Sequence, residues 1–564
     1  MTVPSPFVVL SRKVAADFLQ TVVVIDDEAR FQVDAEVESV RPAGDITSNA
    51  TLAAAGAAGQ IESTPTLTAP TDAQIQAAVE EPVDSHDLDA KAVTDGFAER
   101  GLVCAVLRPT SDEVIFTAPT TAVARADIVV LDWVLHNDNG AKTLELISSL
   151  IESDSDRLRL IAIYTGQKDL KRIADRILEV VSQRADMFSV QQPNAFSVER
   201  GPVRISVFAK PGTRIPKEDA QAYARIKASS ELPDALINEF AEMTTGLVPH
   251  VTLASLAALR RNSHRMLRRL SPSLDPAYLW HRANHAHPRD AEADLKAMIV
   301  GELAAVVADE KVEAHADINA ISAWLDDFIS GGDYKERFAL SENVNRQQVL
   351  ELLTKGSKGD ENIPIRERFS ALVSGKAHTR THQCFAQGIA ENTKANEDFA
   401  MLLSVRNHYE PPTPILSLGT VLKIGTTAQA KYWMCVQPEC DSLRLKQRTA
   451  FPLLPLEIVP VGEPFHLVVR SADTESVRLR VLSKPMNLRM EPFDPTDVAA
   501  GTVSAALDTG EWFFGAASGV RYTWIADMKP QHALWFADLL SSQMRRVGLV
   551  QSEWLRRWSD SVKD

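Results

Sequence analysis

Residues 127–140 read DIVVLDWVLHNDNG: four consecutive apolar residues, Ile128 to Leu131, followed at once by a carboxylate, Asp132. An unbroken aliphatic run suits a strand buried on both faces, as in a parallel sheet. A polar residue at its C-terminal end would then emerge where open α/β sheets bind their ligands. Three other runs end in the same way. Val22–Ile25 is followed by Asp26 and Asp27, Leu160–Tyr164 by Thr165, and Ile205–Ala209 by Lys210 and Pro211.

Helical spacing fills the intervals between these runs. Leu88, Ala92, Val93, Phe97 and Ala98 recur at helical period before Gly101; Leu144, Ile147, Ser148 and Ile151 share a face; so do Leu170, Ile173, Ile177 and Val180. The alternation predicts an α/β fold at the N-terminus, a doubly wound parallel five-stranded sheet with insertions. One insertion, about 43–82, is rich in Ala, Gly, Thr, Ser and Pro and is expected to be a flexible loop. A second, Phe188–Arg204, alternates and carries turn residues, and predicts an extra hairpin before the fifth strand.

The remainder divides by composition. Residues 216–410 are mainly helical in pattern, and Pro411-Pro412-Thr413-Pro414 marks a boundary. Short β-type runs, Val421–Ile424, Tyr432–Val436, Phe465–Val469, Val477–Val481 and Tyr522–Ile525, predict a small all-β module over 411–527, and a C-terminal helix is expected within 528–564. The N-terminal α/β unit itself spans 1–215.

A formal net charge of −15 over 564 residues opposes a chain-wide role in coating nucleic acid. Four cysteines are too few for a disulfide framework and point to a reducing compartment, the cytoplasm by default. The N-terminal MTVPSPFVVLSRK has no basic region ahead of its apolar patch, and no apolar run nears the roughly 18 residues of a membrane span, so neither export nor insertion is expected.

Asp26-Asp27, Asp132, Thr165 and Lys210, in that order at the ends of successive strands, resemble the receiver domain of bacterial two-component response regulators, the chemotaxis-regulator type. The resemblance covers roughly the first 215 residues once the insertion is removed. It implies that Asp132 is the phosphoacceptor, that a histidine kinase is the phosphodonor, and that Mg2+ is held by Asp26, Asp27, Asp132 and the Val134 carbonyl. It also implies that Lys210 and Thr165 contact phosphoryl oxygens. The need for the cation is physical: a carboxylate attacking a phosphoryl group approaches a centre that is already negative. Two positions depart from the family. His136 stands where receivers usually have proline, and Val207 where they have an aromatic switch residue; Phe208, next to it, should point to the opposite face.

Other clusters have plainer readings. Leu259–Leu270, LRRNSHRMLRRL, is a basic helix whose Arg261, His264, Arg265 and Arg268 share one side; it resembles a phosphotransfer histidine helix less than a surface that pairs with acidic groups. Cys435 and Cys440, with His378, His382 and Cys384, fall within loose zinc spacing, but a buried cysteine pair is the simpler expectation. His281, His285 and His287 read as a helix-end cluster without metal.

No helix-turn-helix, cyclase signature or other enzyme motif follows residue 215, so no output is assigned beyond phosphorylation and dephosphorylation of the receiver itself. The layout resembles large receivers encoded with atypical histidine kinases in antiphage defence, where one component is a phosphate sink beside a second, effector-bearing receiver. Two alternatives stand beside this reading: a phosphorylation-independent scaffold, and a regulator with an unrecognised C-terminal effector enzyme.

Overall fold

The computed structural model describes residues 4–30, 87–110, 118–136, 138–152, 157–183, 189–328, 346–355, 385, 389–410, 413–425, 429–460, 463–470, 476–497, 500–544 and 557–558. The 43–82 insertion and the candidate ligands His378, His382 and Cys384 lie outside them. Two compact units emerge, Met1–Ser330 and Gly331–Asp564. The division falls inside the segment, 216–410, that sequence composition groups as one helical region.

The first unit is built on a seven-stranded sheet of order β2-β1-β3-β4-β7-β6-β5. Its strands are β1 (Thr21–Ile25), β2 (Val103–Leu107), β3 (Ile128–Leu131), β4 (Arg159–Thr165), β5 (Val190–Asn194), β6 (Ser197–Arg200) and β7 (Val203–Ala209). The pairs β1–β2, β1–β3, β3–β4 and β4–β7 are parallel, giving the expected five-stranded parallel core. The hairpin β5–β6 adds antiparallel to β7, as the breakers in 188–204 foretold. Order reverses between β1 and β3, so Asp26 and Asp132 emerge at the topological switch point.

Each face of the sheet carries its own core, because side chains alternate along a strand. On one, Ile25, Leu131, Ile163 and Val207 pack beneath α4 (Ala141–Glu152) and α5 (Leu170–Ser182). On the other, Val24, Val130, Tyr164 and Phe208 pack with α1 (Pro6–Phe18), α2 (Ala90–Glu99) and α7 (Leu232–Met243). A short helix, α3 (Ala118–Val123), precedes β3, and α6 (Ala220–Tyr223) lies between β7 and α7. Val207 and Phe208 thus do belong to opposite cores.

Helix α1 has no counterpart among the sequence expectations. Ser5 caps it, accepting from the Val8 N–H at 3.2 Å, Pro6 opens its first turn, and Phe7, Val14, Ala15 and Phe18 are buried.

Behind α7 come α8 (Leu247–Arg269), α9 (Asp275–Asn284), α10 (Asp290–Asp309) and α11 (Ile318–Phe328). The basic stretch forms the C-terminal half of α8 and pairs with acidic neighbours: Arg261 with Glu310 at 2.9 Å and Arg269 with Glu302 at 3.4 Å. His264 is exposed, its Nδ1 2.9 Å from the Arg261 carbonyl.

In the same helix His250 is fully buried against Phe7, ring centroids 4.9 Å apart, and neither ring nitrogen has a hydrogen-bond partner among the described residues. Burial, with His315 adding, pushes its pKa down to about 4. The unfolded chain takes up the proton near pH 6.5. The stability that the neutral ring confers is therefore present above about pH 6.5 and is lost as pH falls toward 4. Urea midpoints measured across that range should fall for the wild type, and His250→Leu should flatten the slope.

The second unit holds α12 (Arg346–Lys355), α13 (Ile389–Ser404) and a nine-stranded antiparallel sheet: β8 (Thr420–Ile424), β9 (Lys431–Cys435), β10 (Thr449–Ile458), β11 (Leu467–Arg470), β12 (Ser476–Val481), β13 (Arg489–Phe493), β14 (Ala506–Asp508), β15 (Glu511–Gly515) and β16 (Arg521–Asp527). β13 pairs with β10, and a Phe493–Ala516 bridge joins it to the end of β15. Strands β10, β9, β8, β16, β15 and β13 therefore close into a small barrel around Phe451, Phe493, Phe514 and Tyr522. The C-terminal helix α14 spans Pro530–Met544; the rest of the helix expected to Val562 falls mostly outside the described residues.

Cys435 lies wholly inside the barrel, where burial pushes its thiol up to about 12, whereas Cys440 is exposed. The expected buried pair is thus only half correct. Cys440 sits in a 3-10 turn past the end of β9, not on the inward-facing strand.

Candidate functional site

The sheet brings the strand-end residues together. Lys210 is buried just past β7, and its Nζ reaches Asp26 Oδ2 at 2.8 Å and Asp132 Oδ2 at 2.5 Å. Both carboxylates are buried as well. Asp26 Oδ1 accepts from the Glu28 N–H at 2.8 Å, and Asp132 Oδ1 from the Val134 N–H at 3.2 Å. Asp27 Oδ2 accepts from the His136 N–H at 2.8 Å. Asp27 Oδ1 is buried with no hydrogen-bond partner.

Thr165 ends β4, fully buried. Its carbonyl accepts from the Lys210 N–H at 2.8 Å, and its Oγ accepts from the Gln167 N–H at 3.2 Å, which leaves the hydroxyl proton to donate elsewhere. Val134 is half-buried in the loop after β3. Asp26, Asp27, Asp132 and Lys210 thus converge, Thr165 is tied to Lys210 through the backbone, and Val134 touches Asp132 through its N–H.

The electrostatics follow from a shortage of positive charge. Burial pushes the Asp132 carboxyl up to about 6; Lys210 opposes the shift and Asp26 adds to it. Burial works against the Lys210 ammonium too, yet Asp132 and Asp26 together hold it above its usual range. One ammonium shared by two carboxylates is well satisfied, while each carboxylate is not. Counting Asp27, the ionised pocket is two charges negative. Carboxylate oxygens of Asp26, Asp27 and Asp132 lie within 4.8 Å of one another. Hard oxygen donors, an unpartnered buried Asp27 Oδ1 and that excess charge all fit Mg2+.

Three further groups support the site, of which Thr143 carries no sequence signal of its own. Buried Thr143 on α4 donates to the Asp132 carbonyl at 2.7 Å and pins the loop that bears the acceptor. His136 adopts a left-handed backbone, φ 51°, which aims its N–H at Asp27, while its Nε2 lies 3.0 Å from the Pro109 carbonyl in the loop after β2. Gly140, at φ 81°, is required by space as much as by conformation, since a β-carbon there would lie 2.3 Å from the buried Trp133 ring.

Past Lys210 the chain turns back and forms a short strap. Ile226 makes a parallel bridge to Ala209, and the Tyr164 hydroxyl donates to the Lys227 carbonyl at 2.7 Å. Glu239 on α7 binds the strap and hairpin together: it accepts from Ser206 Oγ at 2.8 Å and Ser197 Oγ at 3.1 Å, and pairs with Arg225 at 2.8 Å and Arg204 at 3.5 Å. The aromatic ring near Lys210 is that of Tyr164, 5.9 Å from Nζ to ring centroid, and it packs on the sheet face opposite to Val207.

A doubly wound sheet with a lysine-bridged acidic pocket at its switch point defines the class, an α/β domain built to handle a charged ligand at the carboxyl edge of its strands. Residues 18–214 match the response receiver domain family, and the chain carries a receiver domain of the response-regulator type. A search of curated proteins returned no match. Such a domain supports a phospho-accepting response regulator in general, and receiver domains in general imply a histidine kinase as phosphodonor. Among the described residues no helix is long and apolar enough to cross a membrane.

Proposed function

We propose that the receiver accepts a phosphoryl group on Asp132, with Asp26, Asp27, Asp132 and the Val134 carbonyl holding Mg2+. The observation that carries this reading is the meeting of Asp26 and Asp132 on one buried ammonium, beside an Asp27 oxygen with no partner. When bound, the cation would neutralise the acidic pocket and the incoming phosphoryl group. An Asp132 carboxylate oxygen forms the new O–P bond as the donor's N–P bond breaks and the imidazole leaves. Lys210, already at Asp132, then pairs with one phosphoryl oxygen, and the Thr165 hydroxyl donates to another.

Val207 is buried and aliphatic, so it has no ring to rotate into the space that a shifted Thr165 would vacate. This favours a receiver that takes phosphoryl groups without the strand-end aromatic readout, as a phosphate sink beside a second, effector-bearing receiver would. The layout's resemblance to antiphage-defence receivers supplies the setting for such a sink.

Incubation of the full chain with acetyl phosphate and Mg2+ should give a hydroxylamine-labile phosphoryl label that EDTA prevents and Asp132→Asn abolishes. Equal label on Asp132→Asn, or none on the wild type from either acetyl phosphate or a cognate kinase, would overturn the acceptor assignment in favour of a scaffold.

A further inference from the structure

A second cluster lies far from the receiver pocket in sequence and has opposite donor chemistry. His281 lies in the last turn of α9 and His285 caps its end, a His-x3-His spacing that brings both rings to one side. Asp294, in the second turn of α10, faces them. His281 Nε2 is 3.0 Å from Asp294 Oδ2, His285 Nε2 is 3.7 Å from the same oxygen, and the three ligand atoms lie within 4.8 Å of one another. Ligands at zinc bond lengths in a tetrahedron stand roughly 3.3 Å apart, so a metal ion fits with small side-chain adjustments. The two rings meet edge to face, 5.6 Å between centroids, and both Nε2 atoms lie near the same Asp294 oxygen.

The helices that carry these residues bury few side chains of their own. No residue of α9 is buried, and on α10 only Ala291 is. An exposed Arg282–Glu292 pair at 2.7 Å is a further polar link between them. Next to the cluster is a cavity of about 370 Å3 lined mainly by Leu270, Leu274, Tyr278, Leu295 and Met298, with His281 and Asp294 in its wall. A metal bound by two imidazoles and one carboxylate would keep an open coordination position there, which water or a small ligand with a nitrogen or oxygen donor would fill.

We propose that His281, His285 and Asp294 form a transition-metal site, of Zn2+ class, which staples α9 to α10 and leaves one coordination position open. Two nitrogens and one oxygen select Zn2+, Co2+ or Ni2+ over Mg2+, whereas the all-oxygen pocket at Asp132 has the reverse preference. Ligation through His285 Nε2 leaves the ring proton on Nδ1, so the exposed contact that His287 N–H now makes to Nδ1, 3.2 Å, is exchanged for water.

The test uses the full-length chain, stripped with EDTA and then given saturating Mg2+ to fill the carboxylate pocket. Titration with Co2+, read by its visible absorption, should show one saturable four-coordinate site, and Zn2+ should displace the signal. His281→Ala and His285→Ala should each weaken binding by at least about tenfold, the low end of the loss when even an outer partner of a metal is removed. Asp132→Asn and Cys440→Ser should leave it unchanged. No saturable band, or a band that survives in the His281→Ala/His285→Ala double variant or disappears with Cys440→Ser, overturns the site. All three ligands are at least partly exposed, and circular dichroism of the folded variants separates loss of metal from loss of structure.

Discussion

Lys210→Met is expected to destabilise the N-terminal unit by about 3–5 kcal/mol in magnesium-free buffer, the usual consequence of removing one partner from a buried ion pair. The reason is geometric. Lys210 is the cation that hydrogen-bonds both Asp26 and Asp132, each buried, and its removal leaves two carboxylates without a counter-charge. Amide exchange of β1, β3 and β7, the strands that present the three residues, should rise well above that of β8–β10 in the second unit. Mg2+ should then stabilise the variant more than the wild type; at a hundredfold excess over the variant's dissociation constant its stabilisation is about 2.7 kcal/mol if nothing binds the unfolded chain. Asp26→Asn in the Lys210→Met background should recover part of the loss, since the like-charge repulsion disappears with it. If Lys210→Met instead exchanges as slowly as the wild type, the pocket does not depend on its ammonium for charge balance.

The second large effect falls on Glu239. Glu239→Ala removes the acceptor for two buried serine hydroxyls and the partner of Arg225 and Arg204, and a loss of about 3–5 kcal/mol is expected for the same physical reason. Glu239→Gln keeps an acceptor for the serines but not the charge, so it should fall between. Exchange should rise first in the hairpin and in the strap at Ile226, which the network ties to α7. Uniform destabilisation of the whole unit by both variants would mean that Glu239 serves α7 packing alone.

What could be read from the residues, and what could not, follows from how each kind of element announces itself. A parallel strand buried on both faces is an unbroken apolar run, and Val22–Ile25 and Ile128–Leu131 are both. The polar residue after each run was therefore locatable to the position, which is why Asp26, Asp132 and Lys210 could be placed in one pocket. Helix α1 was legible in principle, with Ser5-Pro6 opening a helix whose apolar positions recur at 7, 14, 15 and 18, but its first two turns bury a single apolar residue, Phe7, so the period is weak where the helix begins. Thr143, Tyr164 and the strap depend on distant pairing, which no local pattern records.

The barrel strands β10 and β13 were hidden by proline. Pro452, Pro455 and Pro492 read as breakers because a proline cannot donate to a ladder. Each stands where only a carbonyl is needed: Val436 N–H bonds to Pro452, Leu482 N–H to Pro455 and Ala517 N–H to Pro492. The same rule of proline chemistry that argues against a strand is satisfied here by using one side of the residue.

The chain between β1 and α2 closes on itself where Arg30 N–H bonds to the Leu88 carbonyl and Ala90 N–H to the Arg30 carbonyl, each at 2.9 Å, with an Arg30–Asp87 ion pair alongside. Those contacts act as a clasp, and the length of chain beyond a clasp enters the fold's free energy only logarithmically, about 0.6 kcal/mol for each doubling. A change of chain length between Arg30 and Asp87 therefore costs the fold little, and the receiver behaves as a chassis that tolerates it.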